Sequence, residues 1–248
     1  MINSSHLIIP DWPAPQAIHA ISTTRKGGES LPPYDSLNLA THVHDAPLTI
    51  TKNRQQLLDI AQLPTMPHWL NQVHGTHVVD TETVQHGDNA DAIISQTAQQ
   101  VCAIMTADCL PLLVCNQQGN QVAAIHAGWR GLAAGIIEKT IKQFHCQPQE
   151  ILVWLGPAIG AQHFEVGDEV FTTFTQHSDH AKLAFQQTDS THYLANIYHL
   201  ATQRLHAVGV DAIYGGEHCT VSEPEHFFSY RRDGVTGRMA SMIWFNDK

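Results

Sequence analysis

The fold is decided by the stretch Val122-Ala123-Ala124-Ile125-His126-Ala127-Gly128-Trp129-Arg130-Gly131. This stretch begins as an apolar, β-favouring run, reaches a histidine, and continues through two glycines into an amphipathic helical pattern over residues 132–144. The order predicts a strand, a tight turn and the start of a helix, and we expect the glycines to let the chain turn. His126 would then lie at the exit of the strand, where side chains face a crevice rather than the core.

The rest of the chain predicts further strands with a few helices between them. Strand patterns cover residues 17–24, 68–73, 77–81, 92–95, 101–106, 110–115, 121–125, 151–155, 212–214 and 239–245. Helix patterns cover residues 48–63, 130–145, 168–175 and 194–207. The long segment 31–44 contains apolar residues, which predicts a packed loop. Because no repeat or linker divides the chain, residues 1–248 are expected to form one α/β domain, with mixed β-sheets layered between flanking helices.

Composition limits the classes of partner and compartment. The chain has 248 residues, is 43% hydrophobic and carries a net charge of −10. It is therefore long enough to bury a full core, and its acidity argues against a nucleic-acid or anionic-membrane partner. Five cysteines, an odd number without a CxxC pair, indicate reduced thiols and a cytoplasmic protein. No segment approaches the ~20 apolar residues that a membrane span needs.

Three potential metal ligands, His74, Cys109 and His126, each lie beside a breaker residue near a predicted strand. Imidazole nitrogen and thiolate sulfur are ligands that zinc accepts, and a catalytic zinc site has three protein ligands and one open position. Three ligands from three strand ends fit an open site of this kind. The spacing alone also allows a buried thiol with two ordinary loop histidines, because no compact metal motif is present.

Several segments resemble the signature blocks of the YfiH/YlmD family, also called laccase-domain or polyphenol-oxidase-like proteins. Three of them contain the potential ligands: NQVHG at 71–75, TADCLP at 106–111 and HAGWRG at 126–131. The similarity continues through residues 36–39, 53–54, 227–234 and 236–238. It covers nearly the whole chain, from about residue 23 to about residue 244, and the blocks are jointly very specific.

The resemblance implies a fold, a metal and an activity. In that family one zinc ion is held by the positions that match His74, Cys109 and His126, and this sequence departs at none of them. The implied fold is a single α/β domain that is also seen in a cytotoxic deamidase toxin. The implied reactions are phosphorolysis of adenosine, inosine, guanosine and methylthioadenosine, together with adenosine deamination. Copper-dependent oxidation of phenols has also been attributed to the family.

Phosphate as a substrate needs cationic donors, and arginine offers a planar fork for bidentate contacts. Arg54 is the first candidate, with Asn38 of the packed loop expected beside it. Asp108 precedes Cys109 and would point to the opposite face of a strand, which predicts an orienting or structural role. The further phosphate-binding candidates are Arg130, Arg231, Arg232 and Arg238.

Other functions remain open at this stage. A cysteine hydrolase would use Cys109 as nucleophile with His126 or His74 as base. A copper-dependent phenol oxidase is a third reading, because two histidines and a cysteine also suit copper. The pair His42 and His44 imitates multicopper sites, but such pairs are too few for a trinuclear cluster. A non-catalytic nucleoside-binding module is disfavoured by the open ligand position, and the usual zinc-deaminase motif is absent.

Overall fold

The computed structural model describes residues 6–247. Its strands are β1 (Leu7–Ile8), β2 (Ile18–Thr23), β3 (Val78–Asp80), β4 (Ala92–Ser95), β5 (Cys102–Thr106), β6 (Leu110–Asn116), β7 (Val122–Ala127), β8 (Ile151–Leu155), β9 (Glu165–Gly167), β10 (Phe185–Gln187), β11 (His192–Ala195), β12 (Ala212–Gly215) and β13 (Met239–Phe245). Its α-helices are α1 (Pro47–Ile60), α2 (Trp129–Ala133), α3 (Ile136–Ile141), α4 (Asp168–Thr175), α5 (Ile197–Ala207) and α6 (Tyr230–Asp233).

A six-stranded mixed sheet in the order β12-β8-β6-β7-β4-β3 forms the centre of the structure. The pairs β12–β8 and β3–β4 are parallel, and the others are antiparallel. Strands β4, β6, β7 and β8 are buried along their whole length. Both faces of the sheet are therefore covered, which explains why these strands are continuous apolar runs rather than alternating ones.

A second, antiparallel sheet in the order β1-β2-β13-β5 packs against one face of the central sheet. The side chains of β13 alternate between two cores, as the strand period of two requires. Ile243 packs between the two sheets, whereas Met242 packs with Leu57 of α1 on the outer face. Helices α3 and α5 cover the other face of the central sheet. The layers run helix, sheet, sheet, helix, which confirms the predicted α/β fold with mixed sheets and flanking helices.

Three element predictions are wrong. The helix predicted at 130–145 is two helices, because Gly135 adopts φ 92° between α2 and α3. The strand predicted at 68–73 is replaced by isolated bridges at His68 and Asn71. The helix predicted from residue 194 begins at Ile197, because the preceding residues belong to β11 and Asn196 caps the helix through the amide of His199.

The packed loop is confirmed, and Asn53 of α1 anchors it. Leu37 and Leu39 are fully buried. The Asn53 side chain donates to the carbonyls of Ser36 and Asn38 and accepts from the amide of Glu29. No helix within residues 6–247 is both long and apolar enough to cross a bilayer.

Asn53→Ala is expected to lower the free energy of unfolding by about 2 kcal/mol, because it removes the partner of the buried Asn38 carbonyl together with the bonds to Ser36 and Glu29. Denaturant unfolding measures this loss. Gln55→Ala on the same helix is the control, since Gln55 is exposed and its side chain donates to the exposed residue Asp59. It should change stability by less than about 0.5 kcal/mol. Equal losses in the two variants would contradict the anchoring role.

Candidate metal centre

Three potentially metal-ligating side chains lie together where β7 ends and β6 begins, in the middle of the central sheet. The ligand atoms of His74, Cys109 and His126 are all within 4.8 Å of one another. Cys109 Sγ is 3.7 Å from His74 Nε2, and the two imidazole rings meet edge to face with centroids 4.8 Å apart. The structure thus brings together the three residues that the sequence singles out. Their role as metal ligands stays a prediction.

The sheet register explains this convergence. His126 lies near the end of β7, and the pairing of Pro111 with His126 puts the start of β6, and Cys109 just before it, beside that end. His74 comes from the loop before β3 and adopts a left-handed conformation with φ 59°. His126 is buried, Cys109 is half-buried and His74 is exposed. The group therefore opens to solvent on the side of His74.

Asp91, which the sequence analysis missed, organises the group. This fully buried carboxylate accepts a hydrogen bond from His126 Nδ1 at 2.8 Å. It also accepts from the amides of His74 at 2.9 Å and Gly75 at 2.6 Å. One carboxylate therefore orients a ligand ring and holds the strained turn that presents another ligand. An acidic residue directly before a buried apolar strand was the signal that could have revealed it.

The negative charge of Asp91 keeps a proton on Nδ1 of His126. Burial tends to raise the pKa of the Asp91 carboxyl, but the hydrogen bonds from His126, Gly75 and His74 outweigh it and lower that pKa below its usual value. An ionised carboxylate only accepts, so His126 Nδ1 carries the proton. His126 Nε2 therefore faces Cys109, and it would offer its lone pair to a metal once the imidazolium ring has lost its second proton.

Cys109 is poised as a thiolate. Burial raises the pKa of its thiol, but the positive charge of His126 and hydrogen bonds from His126 and His74 lower it to about 6. The same pairing raises the pKa of His126 against the lowering effect of burial. By contrast, burial raises the pKa of Cys102 and Cys115. Among these thiols, only Cys109 is ready to ligate a metal at neutral pH.

The separation of Cys109 and His74 fits two ligands of one tetrahedral metal ion. With Zn–N near 2.0–2.1 Å and Zn–S near 2.3 Å, ligand atoms of a tetrahedral site are about 3.6 Å apart, close to the observed Cys109–His74 separation. A Cβ atom at Gly128 would lie 2.7 Å from His74 Cδ2 and 3.2 Å from Cys109 Sγ. The absence of a side chain at this position leaves room for the ligands.

The role expected of the glycines needs correction. Gly128 has φ −63° and ψ 154°, a conformation open to any residue, so it is required for space and not for the turn. Gly131 has a similar reason, because a Cβ there would meet Gly75 O at 2.7 Å. The two glycines let helix α2 approach the loop that carries His74.

The ligands form one wall of a cavity of about 240 Å³, here called the polar pocket. Arg238 and His42 contribute cationic or titratable groups to it. Gln72 also lines the pocket, and its side-chain amide pairs with the backbone N–H and C=O of Met105, which ties the His74 loop to β5. The sequence gives His42 no role beyond its resemblance to a multicopper pair, but the structure places it in the pocket wall. The complete lining is His42, Gln72, His74, Met105, Thr106, Ala107, Cys109, His126, Tyr230 and Arg238.

The favoured phosphate candidates, Arg54 and Asn38, lie behind this wall. Arg54 donates twice to Leu39 O and stacks over Trp69 at 4.2 Å. Asn38 is buried, and its Oδ1 accepts from the amide of Arg238. Asn38 therefore positions Arg238, and Arg238 is the arginine that lines the polar pocket.

The other arginine candidates do not line the polar pocket. Arg130 is exposed and stacks on the neighbouring Trp129. Arg231 donates to backbone carbonyls of the β9 region. Arg232 donates to backbone carbonyls between 220 and 227 and pairs with Asp233. These contacts hold the three guanidinium groups outside the polar pocket.

Asp108 has a structural role, which is one of the two roles that the sequence predicts for it. Its carboxylate accepts from Thr220 Oγ1 and from the amide of Arg231. These bonds hold Asp108 at φ 90°, in the turn that presents Cys109. The carboxylate that orients a ligand histidine is Asp91 instead.

Asp91→Asn is expected to weaken metal binding by about 10- to 100-fold, because an amide cannot accept from His126 and both loop amides as a carboxylate does. Competition with a chromophoric chelator measures the affinity. Asp88→Asn is the matched control, since its carboxylate bonds to the amide of Gln85 and not to a ligand. An unchanged affinity in Asp91→Asn would show that Asp91 does not support the ligands.

In metal-free protein, Cys109 is expected to react with iodoacetamide at neutral pH much faster than Cys102 or Cys115. The lowered pKa keeps Cys109 a thiolate above about pH 6, whereas the other two thiols are buried and protonated. Peptide mass mapping identifies the modified residue, and added zinc should suppress its modification. Equal rates with and without zinc would argue against thiolate ligation.

Comparison with known proteins places the chain in a family. The family model described as multi-copper polyphenol oxidoreductase laccase matches residues 19–246. The protein named purine nucleoside phosphorylase YfiH of Escherichia coli K12 is 54% identical over 97% of this chain and 99% of its own length. A purine nucleoside phosphorylase of Haemophilus influenzae is 49% identical over 96% of this chain and 98% of its own length.

A solved structure shows the same fold. A crystal structure of a Neisseria meningitidis protein, 47% identical, superimposes with a TM-score of 0.94 and covers 98% of this chain and 100% of that one. These findings confirm the resemblance to YfiH proteins. The chain belongs to the family described as multi-copper polyphenol oxidoreductase laccase, among relatives that are named purine nucleoside phosphorylases.

Proposed function

We propose that the chain is a metal-dependent purine nucleoside phosphorylase with one catalytic domain over residues 1–248. The observation that carries this proposal is the polar pocket, where a group of metal-ligating side chains faces Arg238 and His42. The names of the full-length relatives support the same activity. The proposed substrates are inorganic phosphate and adenosine, inosine, guanosine or methylthioadenosine, with adenosine deamination as a second activity of the same site.

Arg238 in the pocket wall and Arg54 behind it, together called the cationic wall, support phosphate as one substrate. Arg54 and Arg238 are half-buried, and neither forms a salt bridge within residues 6–247. Burial lowers the pKa of both guanidinium groups, that of Arg54 to about 10. Desolvation and then the charges of Arg238 and Arg54 lower the pKa of His42. Partly buried cations without a carboxylate partner favour an anionic ligand.

We propose zinc as the metal, held by His74, Cys109 and His126. Within residues 6–247, three or more metal-ligating side chains gather at this place alone, which supports one ion rather than a multinuclear copper centre. When bound, the metal would supply Lewis-acid chemistry at one open position. Copper suits the same donors, so metal analysis of freshly isolated protein decides between the two ions.

The residues of the chain would bind and orient the reactants. In phosphorolysis a lone pair of hydrogen phosphate forms the bond to the sugar C1′, and the electron pair of the C1′–N9 bond leaves with the base. The phosphate proton ends on the base, so no further reactant is consumed. Arg238 would hold the phosphate, while Asp91 fixes the His126 ring and thereby the geometry of that wall.

The low pKa of Cys109 also favours a second function, a cysteine hydrolase with His126 or His74 as base. The two functions differ in their need for metal. Phosphorolysis that is lost on chelation and regained with zinc supports the first. Hydrolysis that persists without metal and is abolished by iodoacetamide at Cys109 supports the second.

Arg238→Gln is expected to raise the KM for phosphate about tenfold or more, because it removes a charge-assisted contact to an anion. Phosphate-dependent release of base from adenosine measures it. Arg130→Gln is the matched control, since Arg130 is exposed and does not line the pocket. A phosphate KM unchanged by Arg238→Gln would overturn the assignment of the cationic wall. The absence of any phosphate-dependent cleavage by the zinc-loaded wild-type protein would overturn the proposed function.

A further inference from the structure

A second cavity adjoins the polar pocket and differs from it in character. This cavity of about 140 Å³, here called the apolar slot, is lined chiefly by Cys109, Trp129, Ile159, Phe164, Ile197 and Tyr230. It shares Ala107, Cys109 and Tyr230 with the polar pocket. A ligand that occupies both cavities would therefore pass beside Cys109.

The charged groups in the wall of the apolar slot, Asp108 and Arg231, already have partners within the protein. The Asp108 carboxylate accepts from Thr220 and from the amide of Arg231. The Arg231 guanidinium donates to the carbonyls of His163 and Glu165. The remaining wall is aromatic and aliphatic, so the slot favours a ligand part that binds by stacking and apolar contact.

Tyr230 is the residue best placed to stack on such a ligand. Its side chain is 61% exposed, although it lines both cavities. It begins the short helix α6, which Ser229 caps through the amide of Arg232. The Tyr230 ring contributes little to the hydrophobic core, because most of it is exposed to solvent. A large exposed aromatic side chain beside a site favours a role in binding.

The volumes of the two cavities indicate that a nucleoside would occupy both of them. Pockets for whole small molecules measure roughly 300–1,000 Å³, and neither cavity alone reaches that range. Together they exceed its lower limit. The slot has room for one flat ring system, and the polar pocket carries the cationic groups that phosphate requires.

We propose that the apolar slot binds the purine base and that Tyr230 stacks on it, while ribose and phosphate occupy the polar pocket. This inference rests on the proposed function. The C1′–N9 bond would then lie beside Cys109, between the two cavities. Because stacking reads the ring face rather than its edge, the slot should discriminate little between purines that differ in their substituents.

The test compares Tyr230→Ala with Tyr230→Phe, which restores the ring without the hydroxyl. Zinc-loaded proteins are assayed for the KM of adenosine and of phosphate, and the binding of free adenine is measured by calorimetry. Tyr230→Ala should raise the adenosine KM and the adenine Kd about tenfold and the phosphate KM by a much smaller factor, because Arg238 lies 5.9 Å from the Tyr230 ring. Tyr230→Phe should restore both values. Val235→Ala is the control, since Val235 is exposed nearby and lines neither cavity.

Each outcome separates this inference from the proposed function. Wild-type protein that binds adenine through Tyr230 but never cleaves adenosine with phosphate would overturn the function and keep the slot. Phosphorolysis with an adenosine KM and an adenine Kd that Tyr230→Ala does not change would overturn the slot and keep the function. A phosphate KM that rises as much as the adenosine KM would also overturn the division between the two cavities.

Discussion

The site depends on one buried carboxylate. Asp91 accepts from the His126 ring and from two amides of the His74 loop, and its own carbonyl accepts from the amide of His126. These bonds join the end of β7 to a loop far along the chain. Burying a charge is costly unless every lone pair is used, so this carboxylate fixes the positions of its partners. His74 and His126, two of the three candidate ligands, are therefore held in position by the protein itself.

Electrostatics divides the surroundings of the site into two sides. On one side Cys109, His126 and Asp91 form a group in which each charge has a partner. On the other side Arg54 and Arg238 carry positive charge and form no salt bridge within residues 6–247, and they help to lower the pKa of His42 between them. The protein as a whole carries a charge of −10, so this positive wall is a local feature that composition conceals. Such a contrast suits the proposed site, which would hold an anion next to a metal.

The four-layered fold follows largely from the apolar pattern. Buried strands, the packed loop and most helices were predicted, because burial on one or two faces leaves a periodic or continuous apolar signal. The errors lie where tertiary contacts outweigh that signal. Gly135 interrupts a helix that periodicity alone would continue, and pairing with β9 draws residues before Asn196 into a strand. Periodicity does not report either constraint.

The sequence by itself determined the family and singled out the three candidate ligands, because His74, Cys109 and His126 lie in short blocks whose residue types are specific. Only the tertiary structure decided how they are supported. Asp91 is 35 residues from His126 along the chain, and the register of β4 against β7 makes them neighbours. Likewise, Arg238 lines the pocket while Arg54 lies behind it, because packing against Leu39 and Trp69 directs the Arg54 side chain. Residue type limits what a side chain is able to do, but its partners depend on contacts between distant segments, which no local pattern contains.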